Sequence, residues 1–202
     1  MENYIVLNDK RINLTDAQVE EIKKSFVTGG TKLADKKEKE TFKIGEYEFF
    51  VLEQLGETTV VLLKDLLHTE EQFGSNNNYD GSNVDKLCIE FGEVIEKLVG
   101  ADNLVEHTVD LTADDGLKCY GSVERKMSLL TANQYRKYVY IIDEHKLDKW
   151  WWLATAFSTA KHDDTSWIKC VSPVGYFGSY DYGFINGVRP FCILKSDIFV
   201  SE

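Results

Sequence analysis

Basic residues are scarce: 23 lysines and arginines face 34 aspartates and glutamates, leaving a formal charge of −11. A surface that wraps nucleic acid needs clustered Lys and Arg to displace counterions from phosphates, and the basic runs here are short, which argues against direct nucleic-acid binding. An acidic chain can still dock onto a basic protein. Long apolar runs are missing too. No stretch approaches the ~20 residues of a membrane span, so no membrane insertion is expected. Residues 1–14 alternate apolar and polar side chains and lack the basic start and hydrophobic core of a secretory leader. The expected location is therefore cytoplasmic or virion-associated. Cys88, Cys119, Cys170 and Cys192 form no CxxC pair, and His68, His107, His145 and His162 add no ligand spacing. Buried thiols are expected, not a disulfide frame, and no metal site. Nucleophile elbow, phosphate loop and dinucleotide fingerprint are absent, so no catalytic residue and no cofactor is assigned and the chain is not read as an enzyme.

What is present is a core-forming chain with 43% hydrophobic residues. Residues 1–31 read as an N-terminal appendage. Tyr4-Ile5-Val6-Leu7, a turn at Asn8-Asp9 and Ile12-Asn13-Leu14 form a hairpin; the Thr15-x-x-Gln18 capping box then starts a helix whose stripe is Ala17, Val19, Ile22 and Phe26, ended by Gly29-Gly30. Residues 32–40 are almost wholly charged or small and predict a solvated connector. From residue 41 to 202 the pattern is that of one larger domain. Phe42–Ile44, Tyr47–Leu55 and Thr58–Leu63 are strand-like runs split by Gly45-Glu46 and Gly56-Glu57, a meander of antiparallel strands. Phe73 to Gly81 is loop. Ser82 or Asn83 caps a helix to about Leu98, with Val84, Leu87, Cys88, Phe91, Ile95 and Leu98 at helical spacing. Val105–Leu111 and Lys126–Leu130 are extended, and Thr131-x-x-Gln134 opens a helix to about Asp143. Asp110, Asp114, Asp115 and Gly116 mimic a calcium loop, but their spacing is wrong and a turn is the reading. The class is α+β, with two or more helices flanking a mixed, mostly antiparallel sheet.

The last quarter carries the functional signal. Trp150-Trp151-Trp152-Leu153 opens it and Asn186-Gly187-Val188-Arg189-Pro190 closes it, around a stretch rich in Ser, Asp, Gly, Tyr and His. Stiff apolar anchors flanking turn residues are the layout of a scaffold with a display loop. On a strand Trp151 points away from Trp150 and Trp152, which leaves two readings: the sheet is covered on both sides and all three rings are core, or one ring borders the ligand surface. Arg189 is extended by the following Pro190, which belongs at a strand start or edge; its guanidinium is read as a latch closing the long loop, held by a carboxylate or by carbonyls.

At these residues the chain resembles a bacterial and phage family of domains of unknown function, numbered 6273 among such domains, whose frame is a Trp-Trp-Leu strand, a polar variable stretch and a closing Gly-Val-Arg-Pro. Trp151-Trp152-Leu153 and Gly187-Val188-Arg189-Pro190 match that frame. Upstream the likeness runs through the Tyr47 to Leu63 strands, the Ser82-led helix with Leu87 and Phe91, and Leu129-Leu130-Thr131 before Tyr135. Thr155-Ala156 stand where that family usually has a proline. The closing strand also looks like that of C-type lectin-like folds, so the resemblance implies a C-type lectin-like fold with a long C-terminal loop region over residues 41–202. The lectin calcium motifs are missing, so calcium-dependent sugar binding is not carried over.

The expected function is a non-catalytic binding module of phage derivation that recognises a protein or surface ligand through residues 158–186. Its contact set is Lys161, His162, Asp163, Asp164, Trp167, Tyr176, Phe177, Tyr180, Asp181 and Tyr182, while Trp151, Trp152, Arg189 and Pro190 are structural. Tyr and Trp bring large rigid area at low entropic cost, and short polar residues adapt around them. On that reading, removing the Tyr180 and Tyr182 rings together abolishes binding and leaves stability unchanged. The alternative, motivated by charge, is an acidic phage inhibitor or decoy that occupies the basic surface of a host nucleic-acid-binding defence enzyme.

Overall fold

The computed structural model describes residues 4–7, 10–16 and 30–202. Strands β1 (Tyr4–Leu7) and β2 (Lys10–Asn13) pair antiparallel as the expected hairpin. Its turn at Asn8-Asp9 and the helix expected through Ala17, Val19, Ile22 and Phe26 lie outside the described residues.

Apolar alternation and well-placed glycines build the first sheet. Strands β3 (Thr31–Lys32), β4 (Thr41–Ile44), β5 (Tyr47–Gln54) and β6 (Thr58–Leu63) come first, and β7 (His68–Gln72) follows. The β4–β5 turn is two residues long and needs a left-handed first residue, which Gly45 supplies at φ 60°. Helix α1 (Asn83–Val99) is capped by Ser82, whose hydroxyl accepts from the Asp85 N–H, and it buries Val84, Cys88, Phe91 and Ile95. Then come β8 (Leu104–Val105), β9 (His107–Asp110), β10 (Ser122–Arg125) and β11 (Met127–Leu129). Helix α2 (Ala132–Ile142) opens with the complete Thr131/Gln134 capping box and buries Tyr135, Tyr138 and Ile142. Six strands finish the chain: β12 (Trp151–Ala156), β13 (Trp167–Val171), β14 (Phe177–Asp181), β15 (Ile185–Val188), β16 (Pro190–Lys195) and β17 (Phe199–Val200).

The protein is α+β and mostly antiparallel. One sheet runs β11–β16–β6–β5–β4 with β8 also on β16, and a second runs β14–β13–β12–β15–β7, with β12 and β15 parallel. Because side chains alternate along strands, both faces of this β layer are apolar. Phe49, Val51, Val61, Trp152, Ala154, Ile168 and Cys170 join the core under α1, whereas Phe50, Leu52, Leu62, Trp151, Leu153 and Val171 join the core under α2. Each fully buried tryptophan removes roughly 200 Å² from water, about 5 kcal/mol before entropic costs. The central Trp151 and Trp152 therefore pin both layers to one strand. Among the described residues no helix is long and apolar enough to cross a membrane.

The charged run 32–40 keeps most of its charges in solvent, but Leu33 inside it is fully buried. Backbone bonds from Leu33 and Ala34 to Ile198 and Ser196, and the β3–β17 pair, hold this segment on the main body.

Two expectations about the C-terminal region change. The stretch 158–186 is not one long loop: β13, β14 and the start of β15 occupy much of it, because the fully buried β12 offers ladder positions to the largely buried β13, which in turn pairs the polar β14 at the sheet edge. Arg189 is a latch on carbonyls, but it fastens a different place. Its Nε donates to Leu63 O at 2.9 Å and one Nη to Lys64 O and His145 O at 2.7 and 2.9 Å, joining the end of β6 to the turn after α2. The guanidinium lies between the Phe50 and Trp151 rings, and burial brings its pKa down to about 9. Pro190 is the first residue of β16, where its missing N–H costs no β6 ladder bond.

Candidate functional site

Strand parity sorts the ten expected contact residues into separate places. Trp167, Lys169 and Val171 share a face with Asp181, Ser179 and Phe177, the side toward α2; Ile168 and Cys170 share the opposite face with Tyr180 and Gly178. Phe177 is half-buried, stacked on Tyr135 at 5.7 Å and covered by the Arg136 guanidinium. Tyr180 and Tyr182 are half-buried against the core under α1, so they are part supports and not free contact groups. Lys161, His162 and Asp163 are exposed on a 3-10 turn.

The aspartates are largely engaged in backbone geometry. Asp163 takes a left-handed conformation at φ 56°, Asp164 accepts from the Ser166 and Trp167 N–H groups, and Asp181 accepts from the Gly183 N–H. His162 Nδ1 sits 2.9 Å from Asp115 Oδ2, which also accepts the Ser158 hydroxyl at 2.5 Å; that hydroxyl chiefly holds the Asp115 carboxyl below its ordinary pKa. The exposed Cys119 thiol accepts from Thr159 Oγ1 at 3.4 Å. The three other thiols are buried, and desolvation raises their pKa values well above the ordinary range.

Beside this cluster a cleft of about 380 Å³ opens at the start of α2, lined by Thr108, Asp110, Thr112, Asp114, Asn133 and Arg136 among others. Asp114 is held by Arg136 at 2.6 Å and by Lys169 at 3.3 Å, and the Lys169 ammonium lies over the Phe177 ring. The leading N–H groups of α2 are taken by Thr155 and Thr131. These polar groups satisfy one another. Such a wall can orient a ligand, but it sets no nucleophile against a base.

The most distinctive surface lies on the other face. Tyr176, Trp150, Tyr180 and Phe184 form a row with ring centroids 6.3, 4.9 and 5.1 Å apart, the first two contacts nearly perpendicular at 80° and 79°. Tyr176 is 65% exposed and Phe184 56%, while Trp150 and Tyr180 between them are half-buried. Gly178 makes the row possible: a Cβ there would meet Tyr176 at 3.1 Å and Trp150 at 3.2 Å. Both outer rings stand on tight turns. The Ser172 hydroxyl accepts from the Tyr176 N–H and Gly175 takes φ 84°, while the Phe184 N–H bonds to Asp181 O. Val174 and Ile185, close to the outer rings in the chain, are exposed as well.

The sequence reading places Tyr176 and Tyr180 on this surface by name and one unspecified ring of Trp150–Trp152 at its border, but not Phe184. The alternation Tyr176-x-Gly178-x-Tyr180-x-Tyr182 was the available signal, since every second residue of a strand shares a face. Trp151 and Trp152 are fully buried as expected, and Trp152 Nε1 donates to Glu71 O. No family model, no curated protein and no solved structure matches the chain.

Proposed function

We propose that this protein is a non-catalytic binding module that meets another macromolecule, most simply a protein, through the aromatic row Tyr176–Trp150–Tyr180–Phe184. One observation carries the reading: four adjoining rings, the outer two more than half exposed, form an apolar stripe on a strongly acidic chain. Contiguous exposed aromatics of this kind mark interaction surfaces, and rings fixed on strands and tight turns lose little entropy on binding. The C-type lectin-like fold, kinship with the domain family numbered 6273 and a phage setting belong to this proposal. The buried Trp-Trp-Leu strand beside β15 and the Arg189 latch support the fold and the kinship.

Selection from a random peptide display library on the full chain tests the reading. Enriched clones are expected to lose binding to a Tyr176→Ala/Phe184→Ala double variant. Clones that bind this variant as well as the parent overturn the row as the contact surface.

The acidic-decoy reading has one observation of its own: a groove beside α1 whose lining carries Glu93, Glu96, Glu106 and Glu124 against Arg125 and Lys126, the latter paired with Glu96. An association that vanishes at high salt and ignores the double variant favours that groove.

A further inference from the structure

We propose that two copies of this chain pair edge to edge, β14 against β14 of the second copy, so that their sheets run on as one. Strand β14 ends its sheet and, among the described strands, pairs with β13 alone. The Tyr182 N–H donates to Ser166 O at one end of that pair and the Ser172 N–H to Tyr176 O at the other, which fixes the phase of the ladder. Gly178 and Tyr180 therefore turn their main-chain groups toward β13, while Phe177, Ser179 and Asp181 turn theirs outward. Among the described residues no hydrogen bond uses the N–H or C=O of Phe177 or Ser179, or the Asp181 N–H; the Asp181 carbonyl accepts from the Phe184 N–H.

The other ends of the two main sheets are guarded. Strand β7 carries Glu70 and Glu71, β4 is bridged through Lys43 to Ser201, and β11 runs on into the second sheet through the Ala154 N–H bond to Leu130 O. Charge, cover and continuation are the devices that stop an edge from recruiting another strand. Strand β14 has none of them. No lysine, proline or bulge interrupts Phe177-Gly178-Ser179-Tyr180-Asp181, and its one charge stands at the end.

The occupant is a second copy because the open positions are complementary to themselves. Antiparallel pairing about a two-fold axis at Ser179 sets Ser179 against Ser179 and Phe177 against Asp181 of the second copy, and every outward N–H then meets a carbonyl. Sliding the strands by two residues would leave Phe177 or Asp181 beyond the end of the other strand. No like charges stand opposite each other in this register, and Asp181 comes beside the Phe177 ring, which carries the Arg136 guanidinium at 4.8 Å. On the opposite face Tyr180 meets Gly178, which has no side chain and over which the Tyr176 and Trp150 rings lean. The two aromatic rows then lie side by side. This pairing is carried by main-chain groups and goes beyond the row as a contact surface, which it doubles.

The test uses the full chain. Sedimentation equilibrium in about 0.3 M salt, which screens the repulsion between two chains of charge −11, is expected to show monomer and dimer exchanging with a Kd on the order of 10 µM, as suits a small interface. Amide exchange locates the contact: the N–H groups of Phe177, Ser179 and Asp181 should slow as protein concentration rises, while those of Gly178 and Tyr180 are slow throughout. Ser179→Pro deletes an outward N–H and spares the β13 ladder, so it should weaken the dimer roughly tenfold with an unchanged far-UV spectrum. If the proline variant does not fold, Ser179→Lys takes its place: it keeps the N–H, opposes two ammonium groups across the axis and should cause the same loss. A parent that stays monomeric, a dimer in which the three outward amides remain fast, or a dimer that survives both Ser179 variants overturns the proposal. Protection of those amides only when a displayed clone binds, with the chain itself monomeric, overturns the second copy in favour of a foreign strand. The Tyr176→Ala/Phe184→Ala variant should lose the displayed clones and keep the dimer; clones retained with the dimer intact sink the row alone.

Discussion

Among single residues, Arg189 shows how far one side chain can be specified by its surroundings. It is fully buried, flanked by two aromatic faces and bonded to three backbone carbonyls, so its planar fork and not its charge alone is what the site uses. Arg189→Lys keeps the charge and loses the fork; urea unfolding should show a loss of about 2–4 kcal/mol. The row makes a contrasting case. Tyr176→Ala removes a mostly exposed ring and should change stability by no more than about 0.5 kcal/mol. Tyr180→Ala strips the half-buried ring packed on Trp150 and should cost about 2 kcal/mol, which denaturant titration of the two variants side by side will separate. The stability-neutral removal of Tyr180 and Tyr182 expected from composition therefore does not apply, since both rings lean on the core.

At the level of elements, capping and one buried ion pair hold the helices in place. Thr131 and Gln134 satisfy each other's backbone N–H groups at the start of α2, so Thr131→Ala should cost about 1 kcal/mol, with positive coupling to Gln134→Ala in a double-mutant cycle. Asp85, in the first turn of α1, is completely buried and receives Arg125 Nε and Nη2 as well as the Gly81 N–H. Asp85→Asn leaves the guanidinium with only the exposed Asp80 carboxylate as a charged partner and should cost about 3 kcal/mol, with faster amide exchange across residues 73–82 as the second readout. Asp85 drew no notice in the sequence because an acidic residue in a first turn reads as an ordinary dipole contact. Both helices were legible, since their apolar stripes and caps are local. Strand β7 was not: His68-Thr69-Glu70-Glu71-Gln72 has no apolar alternation, and its pairing with β15 comes entirely from the partner. Strand β14 is hidden for a related reason: Gly178, Ser179 and Asp181 have turn chemistry that pairing with β13 overrides, while β13 itself, Trp167–Val171, is strand-like but is flanked by turn residues on both sides. Half of the aromatic row was legible in the same way. Tyr176 and Tyr180 stood out by type, but the approach of Trp150 and Phe184 depends on the β12–β13–β14 register and on the turn at Gly183.

Over the whole molecule, pH acts through groups that the fold keeps neutral. Burial presses His107 down to about 4 while its Nε2 lies 2.9 Å from the Ser128 hydroxyl, and burial also lowers His145. Both pKa values lie below the unfolded value of about 6.5, so on acidification the unfolded chain takes up protons that the native one refuses, and stability falls. For His107 the loss runs from about pH 6.5 to about 4 and amounts to roughly 3 kcal/mol. Asp110, held low by the Thr112 hydroxyl, adds to the decline below its unfolded value of about 4. Denaturant midpoints measured across this range should flatten in His107→Gln; an unchanged slope would mean that His107 is protonated in the native state.

The position of β16 in the chain bears on how the protein is made. Although it begins only at Pro190, it is the inner strand between β11 and β6 and also receives β8. A ribosome must therefore release everything through β16 before the first sheet can close, leaving β6 and β11 as open, sticky borders until then. A chain stopped at Val188 should accumulate in inclusion bodies, and nascent-chain proteolysis should show protection arriving late and all at once.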